Sequence, residues 1–101
     1  MNVKIENPTD QLTRVHLSGM LDAASASQFD DIFSKILDSA KGELILDFAE
    51  LEYVSSNGIR QLLLLAKNLT AKGISFSVVN VNPAVTEIFS ITGLIDILNV
   101  K

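Results

Sequence analysis

Residues 44–69, LILDFAELEYVSSNGIRQLLLLAKNL, decide the fold of this chain. They begin with Leu44–Leu46 and Phe48, a nearly continuous apolar run that is typical of a central strand covered on both faces. From Ile59 to Leu69, apolar residues recur at helical spacing. A buried strand that leads into such a helix is the building unit of a parallel α/β sheet with right-handed crossovers.

The chain before this stretch predicts a β-hairpin and a helix. Residues 2–6 alternate between polar and apolar side chains, and residues 12–18 form a second strand of the same kind. Turn-forming residues at 7–10 join them, so we expect the two strands to be antiparallel. A capping-box spacing at residues 25–28 opens a helix, and Gly42 supplies a left-handed stop after it.

The chain after this stretch continues the alternation of strands and helices. Residues 74–79 predict a strand, and Asn82 followed by Pro83 is typical of the first positions of a helix. Residues 94–100 are apolar enough for a short final strand. The predicted fold is α/β, of order β-β-α-β-α-β-α(-β), with a mixed, mostly parallel sheet of four to five strands packed with helices in a single domain, 1–101.

Composition excludes several classes of protein. The 101 residues carry a net charge of -4, and the eight basic residues are scattered, which argues against a nucleic-acid partner. No apolar run approaches the roughly 20 residues that span a bilayer, so we expect no direct membrane insertion. The chain has no cysteine, and its first residues lack the pattern of a signal peptide, so we expect it in the cytoplasm.

Catalytic motifs are missing from the sequence. It contains no glycine-rich dinucleotide loop and no phosphate-binding loop. His16 is the only histidine, and alternation places it on a strand face with Arg14 and Ser18, where a solvated side chain is the simplest interpretation. We therefore predict no enzyme activity, no catalytic residue, no cofactor and no metal site.

Three polar residues are candidates for one end of the sheet. Asp22 follows the second predicted strand, Asp47 lies near the end of the central strand, and Ser56 precedes the next helix. Parallel sheets place ligands at the carboxyl ends of their strands, so these side chains are expected to gather there. The alternative is that the two acids are ordinary solvated loop residues.

The segment Ser55-Ser56-Asn57-Gly58 is the most informative for function. One of its small polar side chains can be a helix N-cap, but a cap accounts for only one of them. The functional interpretation is a hydroxyl displayed where free N–H groups and the helix dipole favour an anion. A phosphate there would add about -1.5 to -2 charges, so the surface could change without unfolding the domain.

Three segments resemble the STAS domain family, which includes bacterial anti-sigma factor antagonists and the cytoplasmic tails of sulphate transporters. Residues 19–22, Gly-Met-Leu-Asp, are similar to the family's Gly-x-Leu/Ile-Asp. Residues 51–58 resemble the stretch that leads into Asp-Ser-Ser/Thr-Gly, and residues 82–94 resemble the closing helix. The resemblance therefore covers almost the whole chain.

The resemblance implies a phosphorylation site. In antagonists of this family, the serine after the motif aspartate is phosphorylated, and that serine falls on Ser56, with Gly58 as the motif glycine. Ser55 replaces the aspartate and Asn57 replaces the next Ser/Thr. The first replacement removes a carboxylate beside the acceptor and makes Ser55 an alternative acceptor.

The implied function is a partner switch. The unmodified chain would bind an anti-sigma factor that is also a serine kinase, the phosphorylated chain would bind it poorly, and a phosphatase would reset the switch. The implied partner-binding residues surround the acceptor: Asp22, Ser55, Asn57, Gly58, Arg60 and Gln61. The alternative is a STAS module that binds a partner constitutively, for example in a transporter complex, and Arg60 is equally well interpreted as a solvated helix residue.

Overall fold

The computed structural model describes residues 2–22, 26–40 and 42–101. Its strands and helices are β1 Asn2–Thr9, β2 Leu12–Leu21, α1 Ala26–Ser39, β3 Glu43–Val54, α2 Ser56–Ala71, β4 Phe76–Val79, α3 Pro83–Ile91 and α4 Leu94–Ile97. From β1 to α3 they follow the predicted order. The capping box predicted at residues 25–28 begins outside the described residues.

The sheet is mixed, as predicted, and contains four strands in the order β1-β2-β3-β4. β1 and β2 are antiparallel, whereas β2, β3 and β4 are parallel to one another. The register places Val15 of β2, Leu46 of β3 and Val78 of β4 side by side, and all three are buried. They mark the face of the sheet on which the core is built.

Helices α1 and α2 complete this core. Phe29, Phe33 and Ile36 of α1 are buried, and so are Leu62 and Leu69 of α2. The rings of Phe29 and Phe33 meet edge to face, with their centroids 4.3 Å apart. The apolar stripes read from the sequence therefore cover one face of the sheet.

The prediction of a final strand at residues 94–100 is wrong. Leu94–Ile97 form α4, and only Val100 makes an isolated parallel bridge, to Val78. The physical reason is the spacing of the apolar side chains, because Leu94 and Leu98 are both buried and lie four residues apart. In a strand, Asp96 would lie on the same face as these two leucines, but it is exposed; a helix keeps residues 94 and 98 on one face and turns residue 96 away.

Two strand boundaries differ from the prediction. β3 continues to Val54, so Asp47 lies inside the strand and not near its end. β4 begins at Phe76, two residues later than predicted. The helix stop at Gly42 has the predicted left-handed backbone, with φ of 64°. Among the described helices, none combines the length and the apolarity that a bilayer crossing requires.

Candidate functional site

The start of α2 is tied to the end of β2 by backbone hydrogen bonding. Ser55 is the N-cap, with extended backbone angles, and its Oγ accepts a hydrogen bond from the Gly58 N–H at 3.2 Å. The Ser55 N–H donates to the Leu21 carbonyl oxygen at 2.7 Å. The Oγ atom and the backbone N–H of Ser55 therefore both hold the junction between β3 and α2 in place.

Gly58 is required by close packing at this junction. A Cβ atom at this position would lie 2.6 Å from Leu21 Cγ, 2.7 Å from the Leu21 carbonyl oxygen and 3.0 Å from Val54 Cγ1. These separations are shorter than van der Waals contact, and one of the atoms is backbone that cannot turn aside. Only glycine lets the first turn of α2 pack this closely against β2.

Ser56 and Asn57 occupy the first turn of α2, and both are exposed. The first turn of a helix has N–H groups without partners inside the helix, and it lies at the positive end of the helix dipole. The first turn of α2 contains no acidic residue. An anion attached to Ser56 would therefore meet a favourable electrostatic environment.

Asp22 lies next to this junction, whereas Asp47 does not. Asp22 is half-buried and directly follows Leu21, whose register partner is Val54. Asp47 pairs with His16 and Val79 in the middle of the sheet, seven residues before Val54. At about 3.3 Å per residue this is roughly 23 Å of strand, so the predicted gathering of Asp22, Asp47 and Ser56 is wrong for Asp47.

The other predicted partner-binding residues lie along α2. Arg60 is exposed and lies one helical turn after Ser56. Gln61 is half-buried, and its Oε1 atom is covered and makes no hydrogen bond within the described part of the chain. The junction and this turn of α2 form one continuous surface.

Two exposed apolar side chains beside the junction were not predicted. Met20 of β2 and Tyr53 of β3 are register partners, and they are 46% and 45% exposed. Met20 directly precedes Leu21, and Tyr53 lies two residues before Ser55. Only the pairing of β2 with β3, which no local pattern reveals, brings them together.

A second polar cluster occupies the sheet face opposite α1 and α2. Asp47 is 6% exposed, and its carboxylate accepts hydrogen bonds from Arg14 Nη2 at 2.6 Å, the Ala49 N–H at 3.0 Å and Asn80 Nδ2 at 3.2 Å. Burial raises the pKa of Asp47, but the hydrogen bonds, that from Arg14 foremost, outweigh it and hold the pKa below its ordinary value.

His16 belongs to this second cluster. It lies on the predicted face, and its Nε2 is 2.6 Å from Glu6 Oε1 while its Nδ1 is 3.6 Å from Asp47 Oδ2. It is partly exposed but paired with carboxylates, which the solvated interpretation did not include. Within the residues that the structure describes, no group of three or more acids and histidines is placed to hold a metal ion.

Comparisons with known proteins agree with this architecture. A family model described as "Mlab, STAS domain" matches residues 6–99. A protein named as the anti-sigma factor antagonist BtrV, from Bordetella bronchiseptica, is 32% identical over 84 residues, which cover 83% of this chain and 72% of that protein.

Solved structures share the fold. An anti-sigma factor antagonist from Mycobacterium paratuberculosis superposes with a TM-score of 0.84 at 23% identity, covering 98% of this chain and 83% of that one. The Bacillus cell fate determinant SpoIIAA in its phosphorylated form superposes with a TM-score of 0.70 at 22% identity, covering 99% of this chain and 91% of that one. With the family match and the relative above, these findings show that the chain belongs to the STAS domain family, among the anti-sigma factor antagonists.

Proposed function

We propose that this chain is the antagonist component of a partner switch that is controlled by phosphorylation of Ser56. In its unmodified form it binds an anti-sigma factor with serine kinase activity, and in its phosphorylated form it releases that partner. A phosphatase restores the first form. Such a switch would operate in the cytoplasm, where sigma factors act.

The observation that carries this proposal is the different use of two adjacent hydroxyls. Ser55 Oγ accepts a hydrogen bond from Gly58 and is half-buried, whereas Ser56 is exposed in the first turn of α2. A kinase can approach the second without disturbing the start of the helix. This supports Ser56, and not Ser55, as the acceptor.

The replacement of the family's aspartate by Ser55 keeps the local structure. Ser55 is the N-cap, and serine and aspartate are about equally good at that position. The replacement therefore preserves the start of α2 and removes only the negative charge beside the acceptor. A kinase that binds this surface would therefore contact the same backbone conformation as in the family, with one carboxylate fewer.

The phosphate is expected to act on the partner and not on the fold. At the first turn of a helix, a negative charge is stabilised by roughly 0.3 to 1 kcal/mol, so the domain remains folded. A partner docked over Ser56 would have to desolvate a doubly charged group or lose contact with it. A loss of about 4 kcal/mol weakens binding about a thousandfold.

The test is incubation of the chain with a serine-kinase anti-sigma factor and ATP, followed by mass spectrometry of the peptide that contains residues 55 and 56. We expect one phosphate on Ser56, its absence in Ser56→Ala and its persistence in the matched variant Ser55→Ala. Calorimetry should then show that the phosphorylated chain binds the same partner at least about a hundredfold more weakly.

The alternative of constitutive binding has its own outcome in this experiment. Ser55 in place of the family aspartate is the observation that favours it, since the missing carboxylate alters the kinase's target. If the partner binds with the same affinity to the wild type and to Ser56→Asp, and no phosphate is found on either serine, the chain is a binding module without a phosphate cycle.

A further inference from the structure

Helix α2 presents apolar side chains to solvent. Leu64 is 49% exposed, and Leu63 beside it is half-buried. One groove is lined by Arg60, Gln61, Leu63, Leu64 and Lys67, and a second by Leu63, Ala66, Lys67, Thr70, Ala71 and Ile97. The two grooves share Leu63 and Lys67, so they form one surface, which we call the α2 groove.

The charge of the α2 groove is opposite to that of the whole chain. The chain carries a net charge of -4, but α2 contains Arg60 and Lys67 and no Asp or Glu. These two cations are the only charged residues that line the described groove. The apolar side chains of this groove therefore have cations and no carboxylates beside them.

The exposed positions follow the spacing of a single helix face. Arg60, Leu64, Lys67 and Ala71 are exposed and separated by four, three and four residues, which places them one above the other. Ser56 lies four residues before Arg60 and begins the same row. The row extends over the 16 residues of α2, which is about 24 Å at 1.5 Å per residue.

We propose that the α2 groove binds an acidic amphipathic helix of the protein partner, with leucine-like side chains against Leu63 and Leu64 and carboxylates against Arg60 and Lys67. This inference rests on the proposed function for the partner being a protein, and it adds the chemistry of the segment that is recognised. Gln61 supplies a further contact, because rotation of its side chain would let the covered Oε1 accept a hydrogen bond from a docked donor.

A second copy of the chain does not fit this surface. Two copies that packed through their α2 grooves about a twofold axis would bring Arg60 and Lys67 of one copy against the same cations of the other. Like charges across an interface oppose association. A partner with carboxylates beside its apolar side chains has no such repulsion.

The test uses two labelled peptides of 16 residues with the same leucine row, one flanked by glutamates and the other by lysines. Fluorescence anisotropy with the whole chain should show at least about tenfold tighter binding of the glutamate peptide. The double variant Arg60→Glu/Lys67→Glu should reverse this preference, and Leu64→Asn should weaken binding of the glutamate peptide about fivefold. Lys4→Glu is the matched control, since Lys4 is exposed on β1, and should leave the affinities within about twofold.

Three results would overturn the proposal: equal affinity for the two peptides, no binding of either peptide, or a preference that survives the double charge reversal. Sedimentation of the wild type as a dimer that Leu64→Asn dissociates would assign the groove to a second copy. Binding to vesicles that contain phosphatidylserine, lost in the double variant, together with no binding of either peptide, would assign it to a membrane. The experiment needs neither kinase nor ATP, so its failure is distinguishable from failure of the phosphorylation proposal.

Discussion

Two polar clusters lie at different places on the sheet, and they use their polar atoms differently. Around Asp47, both carboxylate oxygens accept hydrogen bonds from side chains or backbone of the same chain. At the junction between β3 and α2, Ser55 makes the hydrogen bonds that fix the start of the helix, and the Ser56 side chain beside it is exposed. The Asp47 cluster, whose carboxylate oxygens are hydrogen-bonded within the chain, is suited to stabilise the fold. The junction is fixed by Ser55 and still exposes the Ser56 hydroxyl, so it is suited to contact another protein.

The largest effect is expected from Gly58→Ala, which tests whether close packing at the junction stabilises the fold, as hydrogen bonds are expected to do at the Asp47 cluster. The added methyl group would overlap the Leu21 carbonyl oxygen, so we expect a loss of about 3 kcal/mol in the free energy of unfolding. Urea denaturation measures this loss. Gly73→Ala is the matched control, because its Cβ meets nothing within 4 Å and only its φ of 73° opposes alanine, at a cost of about 1 kcal/mol. Equal losses in the two variants would contradict tight packing at Gly58.

Asp47→Asn tests how much the Asp47 cluster stabilises the fold. Both carboxylate oxygens accept hydrogen bonds, so the NH2 group of an asparagine would face a donor in either orientation, and the charge-assisted bond to Arg14 would be lost. We therefore expect a loss of about 2 kcal/mol in stability. Glu87→Gln on the exposed side of α3 is the control and should change stability by less than about 0.5 kcal/mol. A loss no larger than that of the control would show that the cluster contributes nothing to the fold.

The same variant predicts a pH dependence. Because the pKa of Asp47 is lower in the folded chain than its ordinary value of 3.8, its contribution is present above that value and is lost as the pH falls through the folded pKa. The stability difference between the wild type and Asp47→Asn should therefore be constant above about pH 5 and narrow below about pH 4. Denaturation curves across this range measure it, and a difference that widens in acid would contradict the sign.

Ser55→Ala should cost about 1 kcal/mol, because it removes the oxygen that caps α2. Ser55→Asp should restore the family's residue with a change of less than about 0.5 kcal/mol, since aspartate caps as well as serine. Urea denaturation of both variants makes the comparison. If Ser55→Asp destabilised the chain as much as Ser55→Ala, equal capping by serine and aspartate would not account for the serine at this position.

Ser56→Asp should have the smallest effect and the opposite sign. A carboxylate in the first turn of α2 should stabilise the chain by about 0.5 kcal/mol through the helix dipole. Asn68→Asp, near the end of the same helix, is the matched control and should be neutral or mildly destabilising. Destabilisation by Ser56→Asp would mean that the junction does not accept the negative charge that the proposed switch requires.

The sequence predicted the order of the elements from β1 to α3, because each of these strands and helices has its own apolar period. It also predicted that Ser56 would follow a strand and begin a helix, since caps and glycine are local signals. It could not locate Asp47 correctly, because the end of β3 depends on pairing with β2 as far as Leu21. The Met20 and Tyr53 pair, the Asp47 hydrogen bonds and the Leu21 contact of Gly58 depend on register and close packing between distant residues. The helix at Leu94–Ile97 was missed because a short apolar run fits both periods.

The pairing along the outer strands limits how a partner can approach. β4 has only four residues, and its Val78 exchanges hydrogen bonds with Asn99 and Lys101, so its free edge is partly occupied by the chain itself. At the opposite edge of the sheet, β1 carries Lys4 and Pro8, which disfavour the addition of another strand. Recognition by extension of the sheet is thus disfavoured at both borders, which leaves side chains, and not backbone amides, to distinguish one partner from another.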